Sequence, residues 1–278
     1  MEITMDLTQF IGFGVAGNFA GHLEQAGEAK DFEQVVTKEA SQPKAIFPFY
    51  VPNADNFLAT FPLSSSTIQA PVGADNLQIE PEVAVLFNIS YGSNKKVIAL
   101  SPFAFAAYND CSIRKPNAKK ICEKKNWGSA SKGISSRFLD VDSLDKGEKL
   151  DHYRIACFHK RNDVLTAYGI DSPISGYNYF NQKLVDWLID RMNNQPDQGP
   201  MNDIPELLKQ ANYPYQAIIS IGATRYTEFG ETHYLQVGDT SIVVVYDGRQ
   251  YHHQQIAQFA QAENFPDDIS ALIQKVSA

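Results

Sequence analysis

Glu80 and Glu82 stand two residues apart at the start of an apolar run, in Ile79-Glu80-Pro81-Glu82-Val83-Ala84-Val85. In an extended chain residues i and i+2 face the same side, so this spacing sets two carboxylates next to each other. Like charges held so close repel, and a hard divalent cation with a preference for oxygen is the usual way to stabilise them. A third carboxylate, Asp110, ends the apolar run that starts at Phe103. Three convergent carboxylates, with water completing the shell, suit Mg²⁺, with Mn²⁺ or Ca²⁺ as alternatives, better than Zn²⁺ or copper. The competing reading is a set of exposed acids at strand ends.

Two other patterns point to chemistry less well. Gly12-Phe13-Gly14-Val15-Ala16-Gly17 matches the dinucleotide fingerprint and follows a short strand signal. That fingerprint needs a βαβ unit whose second strand closes on an acid, whereas Gln34-Val35-Val36 runs into Thr37, so a structural turn is the better reading. Cys111, Cys122 and Cys157 form no paired CxxC, which makes them poor zinc ligands. Too few and too irregular for a disulfide framework, they suit reduced thiols and a cytoplasmic protein.

The elements that must position the acids are mostly strands. Leu7 to Phe13, Glu82 to Ser90, Val97 to Leu100, Ile155 to Phe158, Val164 to Tyr168, Ala217 to Gly222 and Ser241 to Tyr246 read as extended, with turn signals between several of them. Phe103 to Asp110 fits strand or helix on its apolar run alone. Helical periods cover Phe19 to Phe32, Phe180 to Met192 and, broken at Pro266, the tail from His252 to Val276. Strands that cluster without strict βαβ alternation argue for an α+β, β-rich fold and against a doubly wound sheet.

The chain has 278 residues, 44% of them hydrophobic and 20% charged, enough to bury a large core. Its 24 Lys and Arg against 32 Asp and Glu give a net charge of -8, which disfavours nucleic acid and anionic lipid as partners. No apolar run has the length of a membrane helix, and Met1-Glu2 lacks the basic start of a signal peptide.

Taken in order, these segments resemble the fumarylacetoacetate hydrolase superfamily. Gly17-Asn18-Phe19-Ala20-Gly21-His22 is similar to its Asn-Tyr-x-x-His segment, and Glu80-Pro81-Glu82 to its Glu-x-Glu metal pair. Tyr108 to Arg114 resembles its Asn-Asp-x-Ser-x-Arg segment, Trp127 to Gly133 its Trp-x-x-x-Lys segment, and Leu235-Gln236-Val237-Gly238-Asp239 its closing turn. The resemblance spans Phe10 to Asp247. It implies a rolled mixed β-sheet with peripheral helices over residues 1–250, with a helical C-terminal tail, residues 251–278, outside it.

The resemblance further implies a homodimer, for which the aromatic-rich segment Phe47 to Phe61 offers apolar area, and one Mg²⁺-like ion on Glu80, Glu82 and Asp110 that chelates a small 2-oxo or β-diketo acid. Lys132 would place a positive charge beside a substrate oxygen, Arg114 would clamp a substrate carboxylate, Thr224 would belong to the substrate site, and His22 would be the base. Arg114 also opens a basic stretch running to Lys125, for which a solvated face is the competing reading. The pattern departs from the superfamily twice. Gln25 stands where the hydrolases carry the Glu that assists the His, and Ile221-Gly222-Ala223-Thr224 replaces Thr-Gly-Thr. The expected function is therefore a metal-dependent enzyme of C–C hydrolysis, decarboxylation, hydration or tautomerisation; the alternative is a degenerate member that binds a small acid or a protein without turnover.

Overall fold

A computed structural model describes residues 5–33, 35, 37–74, 76–114 and 118–278. Among them the apolar and β-branched runs form β1 (Ile11–Ala16), β2 (Ala45–Tyr50), β3 (Leu63–Ser64), β4 (Thr67–Gln69), β5 (Leu77–Gln78), β6 (Pro81–Tyr91), β7 (Val97–Asn109), β8 (Ser112–Ile113), β9 (Lys132–Ile134) and β10 (Leu139–Asp140). The second half of the chain adds β11 (Tyr153–Arg161), β12 (Val164–Pro173), β13 (Gln216–Ser220), β14 (Thr240–Asp247) and β15 (Ser270–Ser277). The α-helices are α1 (His22–Gln25), α2 (Asn181–Asn194), α3 (Ile204–Gln210), α4 (Glu228–Thr232) and α5 (His253–Ala262).

One mixed sheet runs β2-β1-β13-β6-β7-β9-β3 with β10 on β7, a second runs β12-β11-β14-β15-β4, and β5 and β8 make a short ribbon. Both faces of β6 are covered. Val83, Val85 and Phe87 join a core with Cys157, Val243, Val245 and Leu272, while Ala84 and Leu86 pack with Phe49, Tyr108 and Ile218. That two-sided burial is why the run reads as continuously apolar. On β14 the alternate set Ile242, Val244 and Tyr246 faces out and is covered by Ile256 and Ala260 of α5. This is the expected β-rich mixed architecture with peripheral helices.

Several sequence expectations are corrected. The tail is helical only to Ala262. Ser270–Ser277 is a strand between β14 and β4, buried at Leu272, Gln274 and Val276, so residues 251–278 are not a helical tail outside the body. Its period-two pattern after Pro266-Asp267-Asp268 is the signal that a helical reading across the proline overrides. The helix expected over Phe19 to Phe32 shrinks to α1 and a 3₁₀ turn at Ala29–Phe32, since Gly21 and Gly27 both take positive φ and break the period. Phe47, Phe49, Tyr50 and Leu58 are buried within this chain, so of the large apolar side chains in the segment Phe47 to Phe61 it is Phe57, 43% exposed, that faces outward.

The glycine pattern is structural. Gly12 and Gly14 lie on β1 against the rings of Phe49 and Phe47, where an added Cβ would fall 2.2 and 2.3 Å from ring carbons. The Gln34-Val35-Val36 part of that comparison lies, except for Val35, outside the described residues. No helix among the described residues is long and apolar enough to cross a membrane.

Candidate metal centre

Register explains how residues far apart in sequence meet. On the antiparallel pair β6 and β7, Pro81 lies opposite Asn109, which sets Asp110 opposite Glu80; the Asp110 amide donates to the Glu80 carbonyl at 2.9 Å. Asn109 in turn pairs with Gly133 of β9, so Lys132 lies across from Asp110. On the other side of β6, Ala84 opposes Ser220, and two residues further the Gly222 amide donates to Glu82 Oε2 at 3.0 Å. Gly222 has φ +114°, and a Cβ there would lie 3.0 Å from Asn18 Cβ. Glu80, Glu82 and Asp110 thereby offer oxygens that all lie within 4.8 Å of one another, with the three residues no more than 3% exposed.

The cations around this triad were only partly legible. Lys132 Nζ lies 2.5 Å from Asp110 Oδ1, and Lys125 Nζ lies 2.6 Å from both Glu80 Oε2 and Asp110 Oδ2. Arg114 Nη1 is 2.9 Å from Glu80 Oε1 and 2.9 Å from Glu28 Oε1. Its Nε donates to Gln78 Oε1 at 2.6 Å and its Nη2 to the Tyr226 hydroxyl at 3.0 Å, so every edge of the guanidinium is engaged by the protein. Lys125 and Lys124 are buried, not part of a solvated face; Lys119 is exposed, and Lys115 lies outside the described residues. Lys125, Glu28, Gln78 and Tyr226 escaped sequence reasoning. A buried lysine carries no local mark that separates it from its solvated neighbours.

Burial raises the Glu82 carboxyl well above the usual carboxylate range, and the nearby charges of Asp110 and Glu80 push it the same way. Glu80 goes the other way: burial raises it, but Lys125 and Arg114 outweigh burial and hold it low. Lys132 is lowered by burial against the pull of Asp110. Arg114 faces Glu80 Oε1, and Lys132 and Lys125 face the two oxygens of Asp110, all at ion-pair distance. Three buried carboxylates whose oxygens converge, an all-oxygen set, fit a hard divalent cation.

His22 lies near this cluster, 5% exposed, with Nδ1 at 2.9 Å from the Thr224 carbonyl. A carbonyl only accepts, so Nδ1 carries the proton and Nε2 keeps its lone pair. Burial, first among the causes, lowers the imidazole pKa below its ordinary value. Thr224 is itself buried and meets His22 through its backbone. Gln25 turns away: its Oε1 accepts from the Tyr226 amide at 2.9 Å, and its Nε2 donates to the Tyr226 carbonyl and to Glu231.

Residues 28–276 match the model of a family of unknown function, DUF5718. The chain belongs to that family. No curated protein matches it. Its fold is shared with 5-carboxymethyl-2-hydroxymuconate delta-isomerase from Mycobacterium smegmatis, at TM-score 0.54 and 14% identity over 96% of this chain and 78% of that one. It is also shared with 2-keto-3-deoxy-D-arabinonate dehydratase complexed with magnesium and 2,5-dioxopentanoate, at TM-score 0.51 and 15% identity over 96% and 72%. A fumarylacetoacetate hydrolase family protein from Yersinia pestis CO92 aligns at TM-score 0.51 and 12% identity over 96% and 92%. The DUF5718 chain thus has the fumarylacetoacetate hydrolase fold, and these neighbours include enzymes of small acids.

Proposed function

We propose that this protein is a divalent-metal-dependent enzyme of a small 2-oxo or β-diketo acid, with Glu80, Glu82 and Asp110 holding Mg²⁺ or Mn²⁺. The observation that carries the reading is the buried triad whose carboxylate oxygens all lie within 4.8 Å of one another, flanked by Lys132 and His22. The magnesium and 2,5-dioxopentanoate of the dehydratase structure support the same class of ligand. When bound, the ion would act as a Lewis acid that polarises the oxygens of an oxo acid. Lys132 contributes a fixed positive charge beside Asp110, in a dry site where such a charge counts for more than in water. His22 takes or returns a proton at Nε2, its ring held by the Thr224 carbonyl.

Gln25 is committed to Tyr226 and Glu231, so nothing at that position assists His22 in generating hydroxide. Tautomerisation or decarboxylation is therefore favoured over hydrolysis. The test is thermal melting with millimolar Mg²⁺ or Mn²⁺, followed by assays on oxaloacetate and acylpyruvates. At about 100 Kd a ligand adds about 2.7 kcal/mol of stability, which a melting curve resolves easily, and Glu82→Ala should remove the rise. An unchanged midpoint in the native chain at millimolar metal would defeat the reading. A binding role without turnover is favoured by one observation, the engagement of Arg114 by Glu28, Glu80, Gln78 and Tyr226. Metal and oxalate binding with no turnover of any 2-oxo acid would establish that role instead.

A further inference from the structure

Lys125 stands out among the groups around the triad because it competes for the same oxygens. Its Nζ lies 2.6 Å from Glu80 Oε2 and 2.6 Å from Asp110 Oδ2, bridging two of the three carboxylates, and its side chain is 3% exposed. A divalent ion binds carboxylate oxygens at about 2.0–2.6 Å, so an ammonium on those oxygens and an ion shared by them would stand as unscreened like charges in direct contact.

The lysine's backbone is pinned. Lys125 caps the 3₁₀ turn Ile121–Lys124, and Asn126 Nδ2 ties the loop to the carbonyls of Phe49 and Thr60 at 2.8 and 2.9 Å. Its ammonium lies 5.4 Å from the centre of the Phe47 ring. Only the side chain can yield.

The charge balance agrees. Among the described residues four acids, Glu28, Glu80, Glu82 and Asp110, lie with four cations, Arg114, Lys124, Lys125 and Lys132. A divalent ion added to that set leaves two uncompensated positive charges in a buried site, which burial penalises heavily. Withdrawal of the Lys125 ammonium removes one of them, and an entering anion offsets the other.

We propose that Lys125 is the resident counter-cation of the triad, bridging Glu80 and Asp110 until a divalent ion displaces it. The inference rests on the reading of the triad as a metal centre and adds to it a built-in gate on loading. The native chain should bind Mn²⁺ weakly alone and more tightly with oxalate, a dianionic chelator.

Calorimetric titration of Mn²⁺ into the native chain, Lys125→Met and Lys125→Gln tests it, with circular dichroism melts confirming that the variants fold. Removing the competitor should tighten Mn²⁺ binding by about tenfold or more, and oxalate should narrow the gap between native and variant. Equal or weaker affinity in the folded variants overturns the proposal and leaves the metal centre standing. No Mn²⁺ binding by any of the three proteins refutes the metal centre itself, and the displacement with it. A readout on the native chain does not depend on the variants folding: acylation of Lys125, followed by mass spectrometry, should rise when Mn²⁺ and oxalate are added. Unchanged labelling at saturating Mn²⁺ overturns displacement.

Discussion

Asn109→Ala should destabilise this protein more than any surface substitution on the same hairpin, because Asn109 fastens the C-terminal strand to the metal centre. The residue is fully buried at the end of β7. Its Oδ1 accepts from the Glu80 amide at 3.1 Å, and its Nδ2 donates to Gln274 Oε1 on β15 at 3.1 Å and to Ser241 Oγ on β14 at 3.3 Å. Truncation orphans three buried polar groups in two sheets. Each would cost about 1–3 kcal/mol if left dry, but water entering the vacated space recovers part of that. We take about 3 kcal/mol in all, which lowers the melting temperature by about 6 °C or more at the scaling for chains of this size. The assay is scanning calorimetry without metal, with Asn88→Ala as the comparison. Asn88 lies exposed on β6 with a single bond from Gln216, and its loss should stay within about 0.5 kcal/mol. If the two variants melt alike, Asn109 is not a fastening, and the view of β15 as support for the site fails.

Gly222→Ala forces a side chain into a positive-φ backbone against Asn18 and should cost about 1–3 kcal/mol, while weakening Mn²⁺ binding through Glu82; unchanged melting and affinity would count against the register argument. Burial holds His22 below its ordinary 6.5, so the folded state takes up its proton later than the unfolded chain does as pH falls. Stability from His22 is then full above pH 6.5 and declines as pH drops below it, so His22→Gln should flatten that acid slope in melts; parallel slopes would refute it. Gln25→Glu should destabilise without raising hydrolysis, since the new carboxylate would face the Tyr226 carbonyl and Glu231; a faster acylpyruvate hydrolysis would show that the position does reach His22. Light scattering at micromolar concentration should return a dimer mass, and a monomer would remove the assembly expectation.

The sequence by itself determined the parts of this protein that are written in local pattern. Alternation and turn residues marked most central strands, and the i, i+2 spacing of Glu80 and Glu82 put two carboxylates on one side before any fold was known. Asp110 was legible because it ends an apolar run. The sequence did not contain the registers that bring the acids together, since pairing Pro81 with Asn109 and Asn109 with Gly133 is a choice among competing alignments that only the packed core makes. The fate of the tail was decided in the same way: Ser270–Ser277 has the alternation of a strand, but no local feature says that β14 and β4 leave a place for it. Lys125 and Glu28 are the plainest case. Charged residues within polar stretches look solvated in sequence, and only the fold, by carrying them into the interior opposite Glu80 and Arg114, supplies the partners that make their burial tolerable.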